Sequence, residues 1–218
     1  MSGKVAFGIQ NLFSLAARER CMTNLKRIRI PRFGNVPTAT ASVLVPLCRV
    51  DDVASILYTV RSSDLRTNSG EVSFPGGRTE PNESSVQTAL RETEEEIGLS
   101  PKNIEVWGPG PSVPGRNNKI MITPVIGSIS NLTQDDLRIN EKEVAEVFTV
   151  PVEILCDPKN QFHTQFQNGY ILPVFIAEQY KIWGITAYIT HAFLSSILPK
   201  DIYTNNWMKN KIYVDKSK

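Results

Sequence analysis

A short acid-rich segment between two glycines constrains this chain more than any other part of its sequence. Three of its carboxylates, Glu92, Glu95 and Glu96, stand at positions i, i+3 and i+4. This spacing puts all three on one helical face, where like charges destabilise a helix by about 0.2–0.5 kcal/mol per pair. Gly98 follows the last periodic position and predicts the end of the helix. Two interpretations of the acidic face remain open: it is solvated, or it holds a divalent cation.

The same helix carries an apolar stripe. Its members recur at the spacing typical of a face packed on a core, and they are Val86, Ala89, Leu90, Thr93 and Ile97. By the period of 3.6 residues per turn, the three glutamates lie about 100° from this stripe. We therefore expect the acidic side chains at the margin of the core, neither buried nor fully in solvent.

The composition is that of one globular domain. Of the 218 residues, 41% are hydrophobic and 21% are charged. No apolar run approaches the roughly 20 residues that a membrane-spanning helix needs. Cys21, Cys48 and Cys156 lack metal-ligand spacing, which predicts three free thiols. A net charge of +2 argues neither for nor against nucleic acid or acidic ligands, and a homodimer stays open.

Three parts of the chain differ in composition. Residues 1–36 are basic and contain a single acid, Glu19. Two interpretations of this segment stay open, because such a start is typical of mitochondrial targeting and also suits a first helix packed on the domain. Residues 37–199 are predicted to form the folded domain. Residues 200–218 are polar, and we expect a loosely held C-terminal tail.

The remaining pattern predicts strands mixed with a few helices. Apolar and β-branched runs predict strands at 39–47, 55–61, 72–74, 106–107, 120–126, 148–150 and 169–177. A second long helix is predicted over 184–198. Strands and two or three helices in this order predict an α/β sandwich.

The acidic helix has the donor chemistry of a metal site. Carboxylate oxygens on a rigid helix suit Mg²⁺ or Mn²⁺, which prefer oxygen ligands. We expect the carbonyl of Gly76 to complete the shell, and Arg91 to pair with Glu95 at i+4. Cations held on carboxylates suit a pyrophosphate, because they neutralise phosphoryl oxygens and activate water.

The spacing of the whole segment resembles the Nudix box. The matching residues are Gly77, Glu83, Arg91, Glu92, Glu95, Glu96, Gly98 and Leu99. Thr93 departs from the pattern, which has an aliphatic residue there. The resemblance implies a Nudix α/β/α sandwich with a mixed β-sheet that acts as a pyrophosphohydrolase. In it the three helix glutamates would be catalytic metal ligands, and Arg91 and Glu83 would order them.

The residues just upstream resemble the segment that marks the coenzyme A diphosphatase branch of the family. They are Leu57, Thr59, Arg61, Ser62, Arg66, Gly70, Phe74, Pro75, Gly76 and Gly77, with Tyr58 at a position that is usually aliphatic. The resemblance implies hydrolysis of coenzyme A or its acyl thioesters, so the expected partner is a small-molecule substrate and no nucleic acid. The products would be adenosine 3′,5′-bisphosphate and (acyl-)4′-phosphopantetheine.

A substrate site is implied within this upstream segment. Its members would be Arg61, Arg66, Phe74 and Gly77. The two guanidinium groups suit phosphates beyond the scissile pair, such as the one on the adenosine ribose of coenzyme A. The local alternative is that one arginine pairs with Asp64 or Glu71.

Other segments are similar to the animal mitochondrial member of that branch. They are 41–48, 138–151, 169–175 and 182–190, and Arg20-Cys21 also matches. A mitochondrial protein is therefore implied, with the cytoplasm as the alternative. The chain ends in Asp-Lys-Ser-Lys and lacks the Ser-Lys-Leu type of ending, so we expect no peroxisomal signal.

The general base is left open by the sequence. Glu92 is a candidate within the box, and the downstream candidates are Glu141, Glu143 and Glu146. Glu143 and Glu146 are three apart, and we expect them to face one way on a helical turn. The alternative for at least two of the three downstream acids is a solvated turn.

Two other functions are alternatives for this chain. The chain could instead hydrolyse another nucleoside diphosphate derivative, such as NADH, a dinucleotide or a modified nucleotide. A Nudix-fold binding module without catalysis is disfavoured, because such modules typically lose box glutamates and this chain keeps them.

His163 and His191 lack partners at ligand spacing, so we expect structural roles for both.

Overall fold

A mixed β-sheet forms the centre of the protein, whose computed structural model describes residues 6–28, 30, 37–64, 69–115, 119–166 and 169–212. Within these ranges the sheet has eight strands: β1 (Ala39–Val50), β2 (Val53–Arg61), β3 (Val72–Ser73), β4 (Gly76–Arg78), β5 (Glu105–Pro109), β6 (Val113–Pro114), β7 (Ile120–Ile129) and β8 (Val144–Pro151). Strands β1 and β7 are parallel, and the other pairs are antiparallel.

Helices cover both faces of this sheet. They are α1 (Ile9–Leu12), α2 (Leu15–Leu25), α3 (Ser85–Ile97), α4 (Val152–Cys156) and α5 (Gly184–Ile197). Helix α3 packs on one face, and α2 and α5 pack together on the other. A smaller sheet of β9 (Gln161–Gln165), β10 (Ile171–Ala177) and β11 (Tyr180–Ile182) adjoins α5. The predicted α/β/α sandwich with a mixed sheet is therefore confirmed.

Alternating side chains of β1 divide the core into two parts. Leu44 and Cys48 pack with Ala89 of α3, whereas Val45 and Leu47 point to the opposite face and belong to the core that α2 and α5 cover. This alternation follows from the two-residue period of a strand. No helix within the described ranges is long and apolar enough to cross a bilayer.

The N-terminal helices pack into the larger core. Leu12, Cys21 and Leu25 are buried there. The guanidinium Nε of Arg20 donates to the carbonyl of Ile197 at 2.8 Å, which ties α2 to the end of α5. These contacts make residues 9–25 part of the folded unit, in keeping with one of the two interpretations left open for the N-terminal segment.

Residues 200–212 are not loosely held, which corrects the expectation for the C-terminal tail. Tyr203 and Trp207 are buried in the larger core. The amide of His163 in β9 donates to the carbonyl of Asn210 at 2.7 Å, and its carbonyl accepts from the amide of Ile212 at 2.9 Å. The polar composition of this segment gave no indication that Tyr203 and Trp207 are buried. Residues 213–218 lie outside the described ranges.

Strand β1 and the second sheet also differ from the prediction. Strand β1 continues beyond Pro46 to Val50, because its last residues pair with the start of β2. Strands β9 and β11 were not predicted, since each is short and lacks a long apolar run.

Candidate active site

Helix α3 has well-defined ends that set the position of its acidic face. Ser84 and Gln87 form a capping box at the start, with the Ser84 hydroxyl accepting from the Gln87 amide at 3.3 Å. Gly98 ends the helix at a φ of 71°, in the left-handed region that favours glycine. A Cβ on Gly98 would lie 2.5 Å from the Cβ of Arg138. This glycine therefore both ends the helix and lets a later loop pack against it.

Arg91 connects the acidic side chains of the segment. Its Nη1 donates to Glu92 Oε1 and Glu95 Oε2, each at 3.0 Å. Its Nε and Nη2 donate to the two oxygens of Glu83 at 2.7 and 3.0 Å, and Nη2 also donates to the carbonyl of Arg78 at 3.1 Å. One guanidinium thus holds three carboxylates, because its donors lie in a fixed plane. The predicted pairing of Arg91 with Glu95 is present.

Glu83 anchors this network from the loop before α3. Besides Arg91, its carboxylate accepts from the Glu80 amide at 3.1 Å and the Thr88 hydroxyl at 2.9 Å. The hydrogen bonds from Arg91, and then the one from the Glu80 amide, lower the pKa of Glu83 to about 2. Glu83 is therefore ionised at neutral pH, and it holds Arg91 in place.

Glu92 occupies space that only a glycine leaves open. A Cβ on Gly77 of β4 would lie 2.3 Å from the Glu92 carboxylate carbon. Burial raises the pKa of Glu92; Arg91 opposes this rise, and the charges of Glu95 and Glu143 add to it. The glycine thus brings the carboxylate against the backbone of the sheet.

Glu96 is the most buried of the three helix acids. It is 4% exposed, and its Oε2 accepts from the amide of Gly76 at 3.0 Å. Burial raises the pKa of Glu96 to about 7, against the lowering by this amide and by the charge of Arg61. Gly76 has a φ of 148° and lies so close to β1 that a Cβ would be 2.3 Å from the carbonyl oxygen of Ser42.

The three helix acids form a gradient of exposure, which corrects the expectation that all lie at the margin of the core. The side chains of Glu92 and Glu95 are 15% and 55% exposed, whereas Glu96 is in the core. Because β4 crosses next to the last turn of α3, Glu96 is covered and Glu95 is not.

The part of the sequence that forms the central sheet and α3 matches the model of a known protein family. A model of the NUDIX domain matches residues 38–170, which include β1 to β9 and all of α3. The chain belongs to the Nudix family. Nudix hydrolases depend on divalent metal ions.

Several relatives of this Nudix chain have names that state an activity. It is 43% identical over 187 residues to the mitochondrial coenzyme A diphosphatase NUDT8 of Mus musculus, covering 83% of this chain and 88% of the relative. The NUDT8 of Homo sapiens is also 43% identical, over 167 residues, with 74% and 70% covered. Nudix hydrolase 3 of Caenorhabditis elegans is 36% identical over 221 residues, with 90% and 91% covered.

The Nudix helix offers suitable donors for a divalent cation, but they are not yet gathered round one point. Within the described part of the chain, no three acidic, histidine or cysteine side chains meet closely enough to hold an ion. The reason is visible: Arg91 binds Glu92 and Glu95, and Glu96 points to the Gly76 amide. The donors fit Mg²⁺ or Mn²⁺ in chemistry, since all are carboxylate oxygens.

The upstream residues of the implied substrate site have different surroundings. Phe74 is 3% exposed and stacks on Tyr58 with ring centroids 4.9 Å apart, and its contact with substrate stays a prediction. An aromatic ring next to the glycine pair packs better inside the core than in water. Arg66 lies outside the described residues. Arg61 has a buried Nε, without a hydrogen-bond partner in the described part of the protein.

Arg61 forms no ion pair with the local acids that were the alternative. Among the described residues, no salt bridge joins it to Asp64 or Glu71. Its backbone pairs with Glu71 instead, through an amide-to-carbonyl bond of 3.1 Å. The side chain is close enough to Glu96 for its charge to lower the pKa of that carboxyl, though burial outweighs it.

The downstream acids separate into two environments, which corrects the expected helical turn. Glu143 ends a turn, whereas Glu146 lies in β8 opposite Val60. Glu146 accepts a hydrogen bond from the Tyr180 hydroxyl, and Glu141 is exposed. The charge of Glu143 raises the pKa of both Glu92 and Glu96. Strand pairing with β2 overrides the i, i+3 spacing.

The two histidines have partners outside the Nudix helix. His163 Nδ1 contacts the carbonyl oxygen of Trp207 at 3.0 Å, and His191 Nδ1 contacts the Tyr203 hydroxyl at 2.9 Å. Burial lowers the pKa of His191 to about 4. Both side chains thus join the C-terminal segment to the body of the protein, as expected for structural residues.

Thr88 and Asn140 belong to the site but were not singled out from the sequence. Thr88 donates to Glu83, and Asn140 donates its side-chain amide to Glu143 Oε1 at 3.1 Å. Neither is part of the box spacing. The one signal for Asn140 was its place within a segment that resembles the coenzyme A diphosphatase branch.

Proposed function

We propose that this Nudix protein hydrolyses the pyrophosphate bond of coenzyme A or its acyl thioesters, with Mg²⁺ or Mn²⁺ as cofactor. The observation that carries the proposal is the 43% identity to a mitochondrial coenzyme A diphosphatase across 83% of the chain. The expected products are adenosine 3′,5′-bisphosphate and (acyl-)4′-phosphopantetheine.

Glu92, Glu95 and Glu96 are the proposed metal ligands, and the carbonyl of Gly76 is a further proposed donor. When bound, a divalent cation neutralises phosphoryl oxygens and lowers the pKa of water. Arg91 supports this role, because it holds two of the three carboxylates and is itself held by Glu83. Prior positioning of charged groups reduces the reorganisation needed in the transition state.

Glu143 is the proposed general base. It would accept a proton from the attacking water as the water oxygen bonds to phosphorus. The bond between that phosphorus and the bridging oxygen then breaks, and the bridging oxygen leaves with the second phosphate. The charge of Glu143 close to Glu92 and Glu96 supports this assignment over Glu146, whose carboxylate is bonded to Tyr180. A base must lie within reach of the water that it deprotonates.

Arg61 and Arg66 are the proposed contacts for phosphate beyond the scissile pair, including the 3′-phosphate of coenzyme A. The unpartnered Nε of Arg61, seen among the described residues, supports a ligand contact, because buried donors are normally paired. Gly77 supports close approach of the substrate, since it adds no side chain beside Glu92.

The proposed location is the mitochondrion, since two relatives are named as mitochondrial enzymes. Targeting by residues 1–36 stays a prediction, and α1 and α2 also serve the fold. A small molecule is the proposed partner. No nucleic acid is proposed as a partner, and a homodimer stays an open prediction.

A substrate panel with a matched pair of variants tests the proposal. Coenzyme A, an acyl-coenzyme A, NADH, a dinucleotide and a nucleotide sugar are assayed with Mg²⁺, with Mn²⁺ and with chelator. We expect coenzyme A or its thioester to be cleaved fastest, and only with metal. Glu95→Gln should lower kcat by orders of magnitude, because it removes a charged ligand from the site. Glu105→Gln, an exposed glutamate paired with Arg18, is the control and should keep full activity.

Three results would count against the proposal. Faster cleavage of NADH or a dinucleotide would favour another Nudix hydrolase activity. Full activity of the folded Glu95→Gln variant would remove the metal-ligand assignment. Lack of cleavage of any substrate by the folded wild-type protein would favour a binding module.

A further inference from the structure

Asn140 connects the end of the Nudix helix to Glu143. Its backbone amide donates to the carbonyl of Glu96 at 2.9 Å, on the last turn of α3. Its own carbonyl accepts from the amides of Glu143 and Val144, each at 2.9 Å. The backbone of Asn140 therefore joins the helix that carries the box glutamates to the turn that carries the proposed base.

The side chain of Asn140 adds a bond that the turn itself does not need. Its Nδ2 donates to Glu143 Oε1 at 3.1 Å, while its Oδ1 accepts from the Lys142 amide at 3.3 Å. The second contact is an ordinary Asx turn that shapes the backbone. The first is a hydrogen bond to a charged carboxylate, which is stronger than a neutral one and directional.

The backbone carbonyl of Glu143 is also held in place. It accepts from the amide of Ser62 at 2.9 Å, next to Arg61 at the end of β2. With the backbone held by Ser62 and Asn140, the remaining freedom of Glu143 lies in its side-chain torsions. The Asn140 amide is the one hydrogen-bond donor to that carboxylate among the contacts of the described residues.

We propose that Asn140 is a positioning residue that aims the Glu143 carboxylate at the box glutamates. The inference rests on the proposed function, since it assigns Asn140 a role only through Glu143. Asn140 touches neither substrate nor metal in this role. It links the orientation of the base to the end of α3 through hydrogen bonds.

Substitution separates this role from support of the turn. The backbone bonds of residue 140 remain in any variant. Asn140→Asp keeps the acceptor for the Lys142 amide but replaces the donor with a second carboxylate beside Glu143. Asn140→Ala removes both side-chain contacts. A residue that only shapes the turn tolerates Asp, whereas a residue that aims Glu143 does not, because like charges repel.

The test measures kcat and KM for coenzyme A in Asn140→Asp, Asn140→Ala, Glu143→Ala and the Asn140→Ala/Glu143→Ala double variant. We expect each Asn140 variant to lower kcat by about 10–100-fold, with Asp at least as impaired as Ala and KM nearly unchanged. Glu143→Ala should lower kcat by about 10²–10⁴-fold. In the Glu143→Ala background, loss of Asn140 should have no further effect, because the carboxylate that it aims is absent.

A matched control is Asn160→Ala. Asn160 also donates its Nδ2 to a nearby residue, the carbonyl of Ile154 in α4 at 3.0 Å, but it lies far along the chain from the box. The Asn160→Ala substitution should at most lower the melting temperature, without changing kcat. Melting temperatures of all variants show whether each is folded at the assay temperature.

The outcomes separate the two proposals. If the wild-type protein does not cleave coenzyme A, or Glu95→Gln remains active, the proposed function fails. If the wild type is active and Glu95→Gln is not, three results overturn the role of Asn140 alone: wild-type kcat in both Asn140 variants, an Asp variant as active as wild type, or effects that multiply in the double variant.

Discussion

The two faces of the central sheet have opposite chemistry. On one face, α3 carries Arg91, whose hydrogen bonds of 2.7–3.0 Å join it to the carboxylates of Glu83, Glu92 and Glu95. On the other face, α2 and α5 bury apolar side chains such as Leu25 and Phe193. The charged side chains of the proposed active site therefore lie on the α3 face, and the larger apolar core, which stabilises the fold, lies on the opposite face.

The division explains why the apolar face carries the N- and C-terminal segments. Residues 9–25 and 200–212 both add buried side chains to the core under α5, among them Cys21 and Trp207. The α3 face has a smaller core and leaves its helix margin open. Substitutions on the apolar face should therefore lower stability without changing chemistry, and substitutions on the α3 face should do the reverse.

The largest expected effect is on the apolar face. Phe193→Ala should lower the free energy of unfolding by about 3–5 kcal/mol, because it removes a buried ring and leaves a cavity. The kcat of the folded fraction should equal that of wild type. Urea unfolding and steady-state assays at a temperature where the variant stays folded check both statements. A reduced kcat in the folded variant would break the division between the faces.

An intermediate effect is expected on the α3 face. Arg91→Lys should lower kcat by about 10–100-fold, because one ammonium cannot hold three carboxylates as the guanidinium does. The melting temperature should change little, since the pairs are partly exposed. Arg18→Lys is the control, an arginine paired with Glu105 away from α3, and should keep wild-type kcat. Equal kcat values in both variants would contradict an active role for the Arg91 network.

The smallest effect at neutral pH is expected from His191. Burial lowers its pKa from 6.5 to about 4. Because the folded pKa lies below the unfolded value, the contribution to stability is complete above pH 6.5 and is lost as the pH falls toward 4. An NMR titration of the imidazole should show no midpoint above pH 5 while the protein is folded. A midpoint near 6.5 would mean that this residue is not buried as neutral histidine.

Local features of the α3 face were predictable from sequence. The helix, its glycine end and the pairing of Arg91 with Glu95 follow from spacing within one segment. Phe74 was not predictable in this way, because its burial depends on Tyr58 in another strand. The expected helical turn at Glu143 and Glu146 failed for a related reason. Pairing of β8 with β2 decided the conformation of Glu146.

By itself, the sequence determined the Nudix segment, since the periods of a helix and the turn preference of Gly98 act over a few residues. Only the tertiary structure decided which acids share one environment. The Glu96 carboxylate accepts from the Gly76 amide, and the Glu96 carbonyl accepts from the amide of Asn140, whose side chain donates to Glu143. The two contacts of Glu96 join residues that are far apart in the chain. Burial and electrostatic coupling depend on distance in space, so they appear only when the sheet has brought these segments together.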